Sequence, residues 1–581
     1  MRWHWITGPA ALAAVVTLAN AAKPVVVDDA AYLAFARHVA RHPLDPYGFD
    51  IFWYDAPEPA MGVLCPPVVP YWLGLGIRVF GEHIVALKLW LFPFVWLLAW
   101  SLHALLRRFA RGTERTALPL LMLSPAVLPT VNLMLDIPAA ALGLAALVLF
   151  IRASGRRSWW LAVLAGIVAA LAVQSKYTAL LLPPLLGWYG LTHRRMRFAV
   201  VAVGLSVVAF AGWEFLLLEK YGRSHFLVHL SGQSTPAEPG VSWLTALARQ
   251  KAPLVPALAA HLGCLAVGVA LFAGRAVGLS RTTLLIAAGV WAVGVVLVAT
   301  LPHHDTVLVY GNAPGQAKLT LAALVWRTAG AGVLLAAVSC ARLLLARRRR
   351  ERRRSADGAF VVGWVILELA GYFALTPFPA ARRVIGLTLA LGVLGARAVS
   401  RANRLDPRRR PPRWVVPFGV TVGILVAALD AFDAMPEKDL AERAAEVVRP
   451  RPPDWRVWYY GHGGFQFYCE RAGMRPLVGG ETAVAEGDYL VLPVYPDAPG
   501  YYRPQPGQGK YAPHLPADAV ERVAEFTWDD PLSAQTNPTF YGGADPVVGR
   551  DFPRLRVTVY RATAAWVVPP PVHRQKPAPR R

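Results

Sequence analysis

Two adjacent carboxylates, Asp28 and Asp29, follow the first apolar run of the chain, and a third, Asp136, stands in Asn132-Leu-Met-Leu-Asp136-Ile-Pro138 between two later runs. Ionisable groups at the edge of a membrane bundle are costly to keep and tend to be functional. One such carboxylate would accept a proton from an acceptor hydroxyl; another would hold a metal or position that acceptor. Lys176, in Ser175-Lys176-Tyr177, and the pair Arg382-Arg383 are cations in similar places, where the compact ammonium and the forked guanidinium both suit a phosphate. His303, His304 and Asp305 have the residue types of a metal cluster, and equally those of a hydrated loop. Structural alternatives stand beside these roles. Asp28, Asp29 and Asp136 could each be a helix cap, and Lys176 and Tyr177 interface anchors. Glu214, Arg327 and Glu368 fall inside apolar runs, and the sequence does not assign their partners.

The elements that must carry these residues are membrane helices. Of 581 residues, 55% are hydrophobic and only 17% charged, with a mean hydropathy of +0.39. A soluble domain usually carries about 25% charged residues, so the composition argues against a purely soluble enzyme and excludes a disordered chain. Apolar runs predict thirteen spans, near 5–22, 84–106, 116–131, 138–152, 158–173, 178–192, 198–218, 253–274, 281–300, 319–345, 359–375, 384–400 and 414–431. The pair 158–173 and 178–192 meets at Gln174, Ser175 and Lys176, where the division is uncertain. The first run is read as a retained helix rather than a cleaved signal peptide. The net charge of +24 is spent on topology rather than on nucleic acid. With Arg2 inside, one alternation puts Arg107 to Arg115, Arg152 to Arg157, Arg194 to Arg197, Arg275 and Arg281, Arg347 to Arg354 and Arg401 to Arg413 in inner loops. Arg382 and Arg383 then lie outside, against the charge rule, as do the three candidate carboxylates.

This topology divides the chain into a transmembrane module, 1–432, whose first outer loop is 23–83, and an outer α/β domain, 433–568, ending in a disordered Pro- and Arg-rich tail, 569–581. The loop opens with a helix pattern in which Tyr32, Phe35 and Val39 share a face, expected to lie on lipid. Residues 43–70 are expected to be irregular. In the outer domain, Asp439 to Val448 reads as helix, and Val457–Tyr460, Tyr489–Val494 and Leu555–Tyr560 read as strands. Four cysteines exclude a disulfide scaffold. Cys65 and Cys469 both fall outside, where unpaired thiols are expected and a bridge is left open.

In their order and common sidedness these motifs resemble the GT-C superfamily of membrane glycosyltransferases. The similar branch is that of the protein O-mannosyltransferases, the aminoarabinose transferases of lipid A and their bacterial relatives. Asp28-Asp29-Ala-Ala-Tyr32, then Pro66-Pro67 and Tyr71, looks like that family's first outer loop. Leu135-Asp136-Ile-Pro138 is similar to its second acidic site, Ser175-Lys176-Tyr177 to its lysine motif and Thr376-Pro-Phe-Pro-Ala-Ala-Arg382-Arg383 to its late arginine motif. Gly461-His462-Gly-Gly-Phe465-Gln466-Phe467-Tyr468 resembles an outer-domain segment of bacterial members. The resemblance implies a polytopic helical fold and inverting transfer of a sugar from a polyprenyl-phosphate donor at the outer face of the bacterial plasma membrane. The acceptor would be an envelope lipid, glycan or protein. It implies Asp28 as base or acceptor-positioning carboxylate, Asp29 as its acidic partner and Asp136 as a second acid near acceptor or metal. Lys176 with Arg382 or Arg383 would bind the donor phosphate. A divalent metal is left open, with Asp28, Asp136, His303 and His304 as candidate ligands. Departures are Cys65 before the Pro-Pro pair, Asp29 where Glu is common, and Val384 after Arg383.

The chemistry agrees with the residues themselves. A polyprenyl phosphate leaves as an anion that cations can stabilise, and the chain has no nucleotide-cradling glycine motif. Two other classes compete. A transporter or flippase would also have about a dozen spans, but commonly shows inverted repeats and broken helices at mid-membrane; no repeat appears in this sequence, and the candidate catalytic acids lie in outer loops. A scaffold using Gly461–Tyr468 as an interface strip would tolerate loss of the outer-loop acids.

Overall fold

The computed structural model of the chain describes residues 4–53, 56–232, 242–300, 308–310, 317–346, 352–494, 515–528, 534–536, 546–549 and 555–570. His303, His304 and Asp305, most of the basic run 347–354 and the tail from 571 lie outside the described residues. The chain divides into two compact units: Met1–Ala22 with Leu64–Asp430 and Ala534–Gly549, and Lys23–Val63 with Ala431–Ser533 and Arg550–Arg581.

The first unit is helical. Among the described residues eight helices are long and apolar enough to cross a membrane, or nine if Leu247–Leu265 and Val267–Gly274, bent by 69°, form one span. Most coincide with the apolar runs: Ile84–Phe109, Asp136–Arg156, Met196–Tyr221, Arg281–Thr300, Leu321–Leu345, Ala356–Leu375 and Ala381–Leu405. The departures from the thirteen expected spans have local causes. The run 116–131 is not a spanning helix. Its helix stops at Met122, and Ser124, Pro125 and Pro129 break the rest of the run into turns and a short 3-10 segment, Leu128–Thr130. The run 178–192 likewise reduces to a 3-10 turn, Tyr177–Leu181, and an 11-residue helix, Leu182–Thr192, with Pro183 and Pro184 in its first turn. A helix at Val68–Phe80, inside the expected outer loop, starts where irregular chain was expected to end. Close crossings depend on glycine: a methyl at Gly330 would coincide with the backbone of Ala259, and one at Gly263 with that of Trp326. Four helical segments are tied by Asp357, which accepts from Arg108 at 2.8 and 3.0 Å and lies 3.0 Å from His193 and 3.6 Å from Arg397.

The second unit joins part of the first loop to the C-terminal region. Its five-stranded sheet runs Arg475–Pro476, Val457–Tyr459, Tyr489–Val494, Leu555–Ala562, Val520–Trp528, parallel in the first two pairings and antiparallel in the last two. Trp458, Leu477, Leu490 and Val568 fill part of its core. The strand Val520–Trp528 and the helix Gly464–Arg471 were not among the expected elements; the helix Met435–Val448 contains the expected one. In the loop segment, Asp29–Arg41 forms the expected helix, but its aromatic face is covered by protein and not by lipid. Phe35, 1% exposed, packs edge-on against Tyr47 and Phe49. Residues 43–70 are only partly irregular, because Asp50–Trp53 and Ala56–Pro59 pair as a hairpin. All four cysteines are buried and none is in a disulfide, Cys65 and Cys469 included.

Candidate functional site

In the helical unit, Asp136, Lys176, Arg382 and Arg383 line one cavity. Each reaches it from a break in the helical path. Asp136 is the first residue of its helix, one position after the N-cap Leu135; it is not itself the cap. Lys176 is extended (φ −163°, ψ 128°) just after Gln174 and Ser175 end the preceding helix. Buried Ser175 satisfies its hydroxyl on the Leu171 carbonyl at 2.8 Å, and the Gln174 carbonyl accepts from Val68 N at 3.2 Å, which fixes the break. Arg382 and Arg383 sit in the 3-10 turn Ala381–Val384, after Pro377 and Pro379 have stopped the helix ending at Leu375.

Lys176 Nζ donates to Asp136 Oδ1. Arg382 Nη1 touches the Met134 sulfur at 3.5 Å, and the Arg383 guanidinium lies 4.3 Å from the centre of the Phe378 ring. Both arginines are within electrostatic reach of Asp136. The cavity head thus gathers three cations around one buried carboxylate. Behind the head the walls are apolar, with Leu144, Leu182, Leu185, Leu367, Leu375 and Leu389. The empty space, mouth included, is about 1000 Å³. Such a cavity can take an anionic head joined to a long hydrocarbon chain.

Three further residues line the same cavity without having been singled out for it: Trp364, Glu368 and Tyr372. Their i, i+4 spacing was the available signal. Trp364 Nε1 donates to Glu368 Oε1 at 3.1 Å, which supplies the partner the sequence did not assign. Tyr177 is held by protein: its hydroxyl lies 2.6 Å from His225 Nδ1 and 3.3 Å from Glu214 Oε1. Glu214 also accepts from Ser224 Oγ at 2.7 Å and Phe226 N at 3.0 Å.

Asp28 and Asp29 belong to the other unit. Asp28 occupies the N-cap position of its helix without a side-chain cap bond and is part-exposed; Asp29, fully buried, accepts from Val26 N at 3.3 Å. Asp29 therefore closes the turn that carries Asp28. The preceding residue, Val27, adopts φ 47°, a region β-branched residues rarely enter. The segment is clamped: Val25 N donates to the Tyr468 hydroxyl at 2.9 Å, and a methyl on Gly463 would lie 3.1 Å from the Val27 carbonyl oxygen. His462 comes from the same glycine-rich turn. Burial pushes its pKa down to about 4, against the opposing pull of Asp28 and a bond to Gln466. Among the described residues no group of three or more His, Cys, Asp or Glu side chains has the arrangement to hold a metal ion.

Residues 65–213 match the sequence model of the family described as dolichyl-phosphate-mannose-protein mannosyltransferase. The match covers less than half of the chain. That matched stretch contains Asp136 and Lys176. Among solved structures, the chain is similar to the oligosaccharyltransferase AglB from Archaeoglobus fulgidus, in complex with an inhibitory peptide and a dolichol-phosphate. The TM-score is 0.49 at 13% identity, over 85% of this chain and 70% of that one. It is also similar to ArnT from Cupriavidus metallidurans bound to undecaprenyl phosphate (0.40, 14%, over 86% and 94%). A third likeness is to the arabinosyltransferase EmbB from Mycobacterium smegmatis (0.31, 13%, over 92% and 47%). No curated protein sequence matches the chain.

Proposed function

We propose that the chain is a GT-C glycosyltransferase, an inverting transferase that moves a monosaccharide from a polyprenyl-phosphate donor to an envelope lipid, glycan or protein acceptor. The reaction would occur at the outer face of the bacterial plasma membrane, with the N-terminus cytoplasmic and residues 433–568 outside. The observation that carries this reading is the cavity in which Lys176, Arg382 and Arg383 head a leucine-lined channel. A phosphate seated at the head would receive charge-assisted bonds while its prenyl chain fills the apolar part.

In the reaction, an acceptor hydroxyl oxygen bonds to the anomeric carbon as the bond from that carbon to the phosphate oxygen breaks. The electron pair leaves with the polyprenyl phosphate, whose growing charge the three cations stabilise. Asp28 takes the hydroxyl proton. Asp29 fixes the turn that presents Asp28, and Asp136 orients Lys176 and the acceptor side of the head.

The test is donor turnover. The purified chain in nanodiscs is incubated with radiolabelled polyprenyl-phosphate sugars and a membrane extract, and wild type is compared with Asp28→Asn. Loss of label from the donor that disappears in the variant supports the transferase. Equal turnover by both proteins removes Asp28 from the mechanism, and lipid binding or crossing without turnover favours a flippase instead.

A further inference from the structure

A second pocket lies wholly inside the mixed unit, beside Asp28. The helix Asp29–Arg41 supplies its floor through Ala30 and Ala34, one turn apart, and its rim through Arg37, His38 and Arg41. The hairpin strand Asp50–Trp53 and the helix Gly464–Arg471 close the sides. The empty space, mouth included, is about 780 Å³, within the usual size of a small-ligand site.

The lining is that of a site for a hydroxyl-rich ring. Two guanidiniums, Arg37 and Arg41, share the pocket with two carboxylates, Asp50 and Glu470. The two guanidinium charges balance the two carboxylates, which suits a ligand without net charge. Donors and acceptors alternate in fixed positions. The Tyr459 hydroxyl donates to Glu470 Oε1 at 2.8 Å, and Gln466 Nε2 donates to the same oxygen at 2.9 Å. Gln466 in turn bonds His462, which feels the charge of Asp28. A hydrogen-bonded chain therefore runs from the pocket wall to His462, which lies within electrostatic reach of the proposed base. Aromatic faces stand alongside: Phe49 is stacked on His38 at 4.3 Å, and Phe52 is braced edge-on by Tyr459 at 6.1 Å. Aromatic faces suit the C–H side of a pyranose or furanose, whose O–H groups seek the polar wall. A lipid tail would find only a short apolar floor here.

We propose that this pocket is the acceptor subsite and that it takes a neutral saccharide, so that the acceptor is a glycan rather than a lipid tail or a peptide. The inference rests on the transferase reading above and narrows it. Gln466 and Arg41 would be specificity residues that hold ring hydroxyls, with the nucleophilic hydroxyl turned toward Asp28.

Binding tests this without turnover. The full-length protein in nanodiscs, free of donor, is examined by saturation-transfer NMR with methyl glycosides of mannose, glucose, galactose and arabinofuranose, and with the methyl glycoside of glucuronic acid as the anionic probe. The expected result is saturation of at least one neutral glycoside, weakened about fivefold to tenfold by Gln466→Ala and also weakened by Arg41→Ala. Arg41 is exposed, so its variant reports on binding rather than folding. Absence of neutral glycoside binding, binding of the glucuronide alone, or equal binding by wild type and both pocket variants would each overturn the proposal. Saccharide binding that depends on Gln466, with turnover indifferent to Asp28→Asn, would refute the catalytic reading while leaving the pocket intact. Turnover that requires Asp28, with no saccharide effect at Gln466, would do the reverse.

Discussion

Replacing Lys176 separates support of the fold from grip on the donor. The Lys176 side chain is 18% exposed and that of its partner Asp136 only 6%. Removing one member of such a pair strands a buried charge, at a cost of about 3 kcal/mol, the lower end of the usual range. The lower end applies because Arg382 and Arg383 also act on Asp136. Lys176→Met should therefore lower Tm markedly. Asp136→Asn in the same molecule removes the stranded charge, and Tm should return most of the way. Donor binding should not return. If Lys176 contributes one charge-assisted bond to the phosphate, its loss costs about 1.5–3 kcal/mol, or roughly a 10-fold to 150-fold rise in apparent donor KM. Thermal unfolding followed by intrinsic fluorescence and donor titration in nanodiscs give the two axes of this double-mutant cycle. Recovery of donor KM together with Tm in the double variant would show that Lys176 serves only to neutralise Asp136, and the phosphate role would be wrong. An unchanged Tm in Lys176→Met would refute the burial argument itself.

Val27→Gly should raise Tm by relieving the φ of 47°, worth about 1 kcal/mol, while lowering kcat, because the strained turn aims Asp28; an unchanged kcat would make the strain incidental. His462 has a folded pKa near 4, below its ordinary value of about 6.5, so the folded state resists the proton. Its contribution to stability is present above pH 6.5 and is lost as pH falls toward 4, and His462→Gln should flatten the Tm-versus-pH curve in that window. A curve of the same slope in the variant would place the acid sensitivity elsewhere. Gly330→Ala should sharply reduce the yield of folded protein in detergent, since the added methyl meets the Ala259 backbone rather than a side chain that can move; normal yield and Tm would show that the crossing can widen freely.

The long spans were legible because a membrane helix announces itself by composition over about twenty residues. The boundaries of Arg281–Thr300 coincide with the apolar run read from the sequence. The failures are also instructive. Residues 116–131 have the hydropathy of a span, but three prolines, Pro119, Pro125 and Pro129, deny them a continuous hydrogen-bond ladder. In the helix Asp29–Arg41 the apolar face was legible and its covering was not, since an amphipathic pattern is the same whether lipid or protein lies against it. Asp136, Lys176, Arg382 and Arg383 stood out as ionisable groups beside apolar runs. Their meeting around one cavity is a long-range fact that spacing along the chain does not encode. The pocket beside Asp28 was still less visible, because Arg37, Arg41 and Glu470 are ordinary surface types until two distant helices bring them together.

The mixed unit is built from pieces at opposite ends of the polypeptide, Lys23–Val63 and the segments beyond Ala431. A ribosome adds about 5–20 residues per second, so the segment carrying Asp28 waits on the order of half a minute for the Gly463–Gly464 turn that clamps it. Throughout that interval Val25 N lacks the Tyr468 hydroxyl to which it donates. A chain ended just before Gly463 would have the long helices made, yet with the proposed base still unseated. Activity would thus be withheld until translation is nearly complete, a timing imposed by gene order alone.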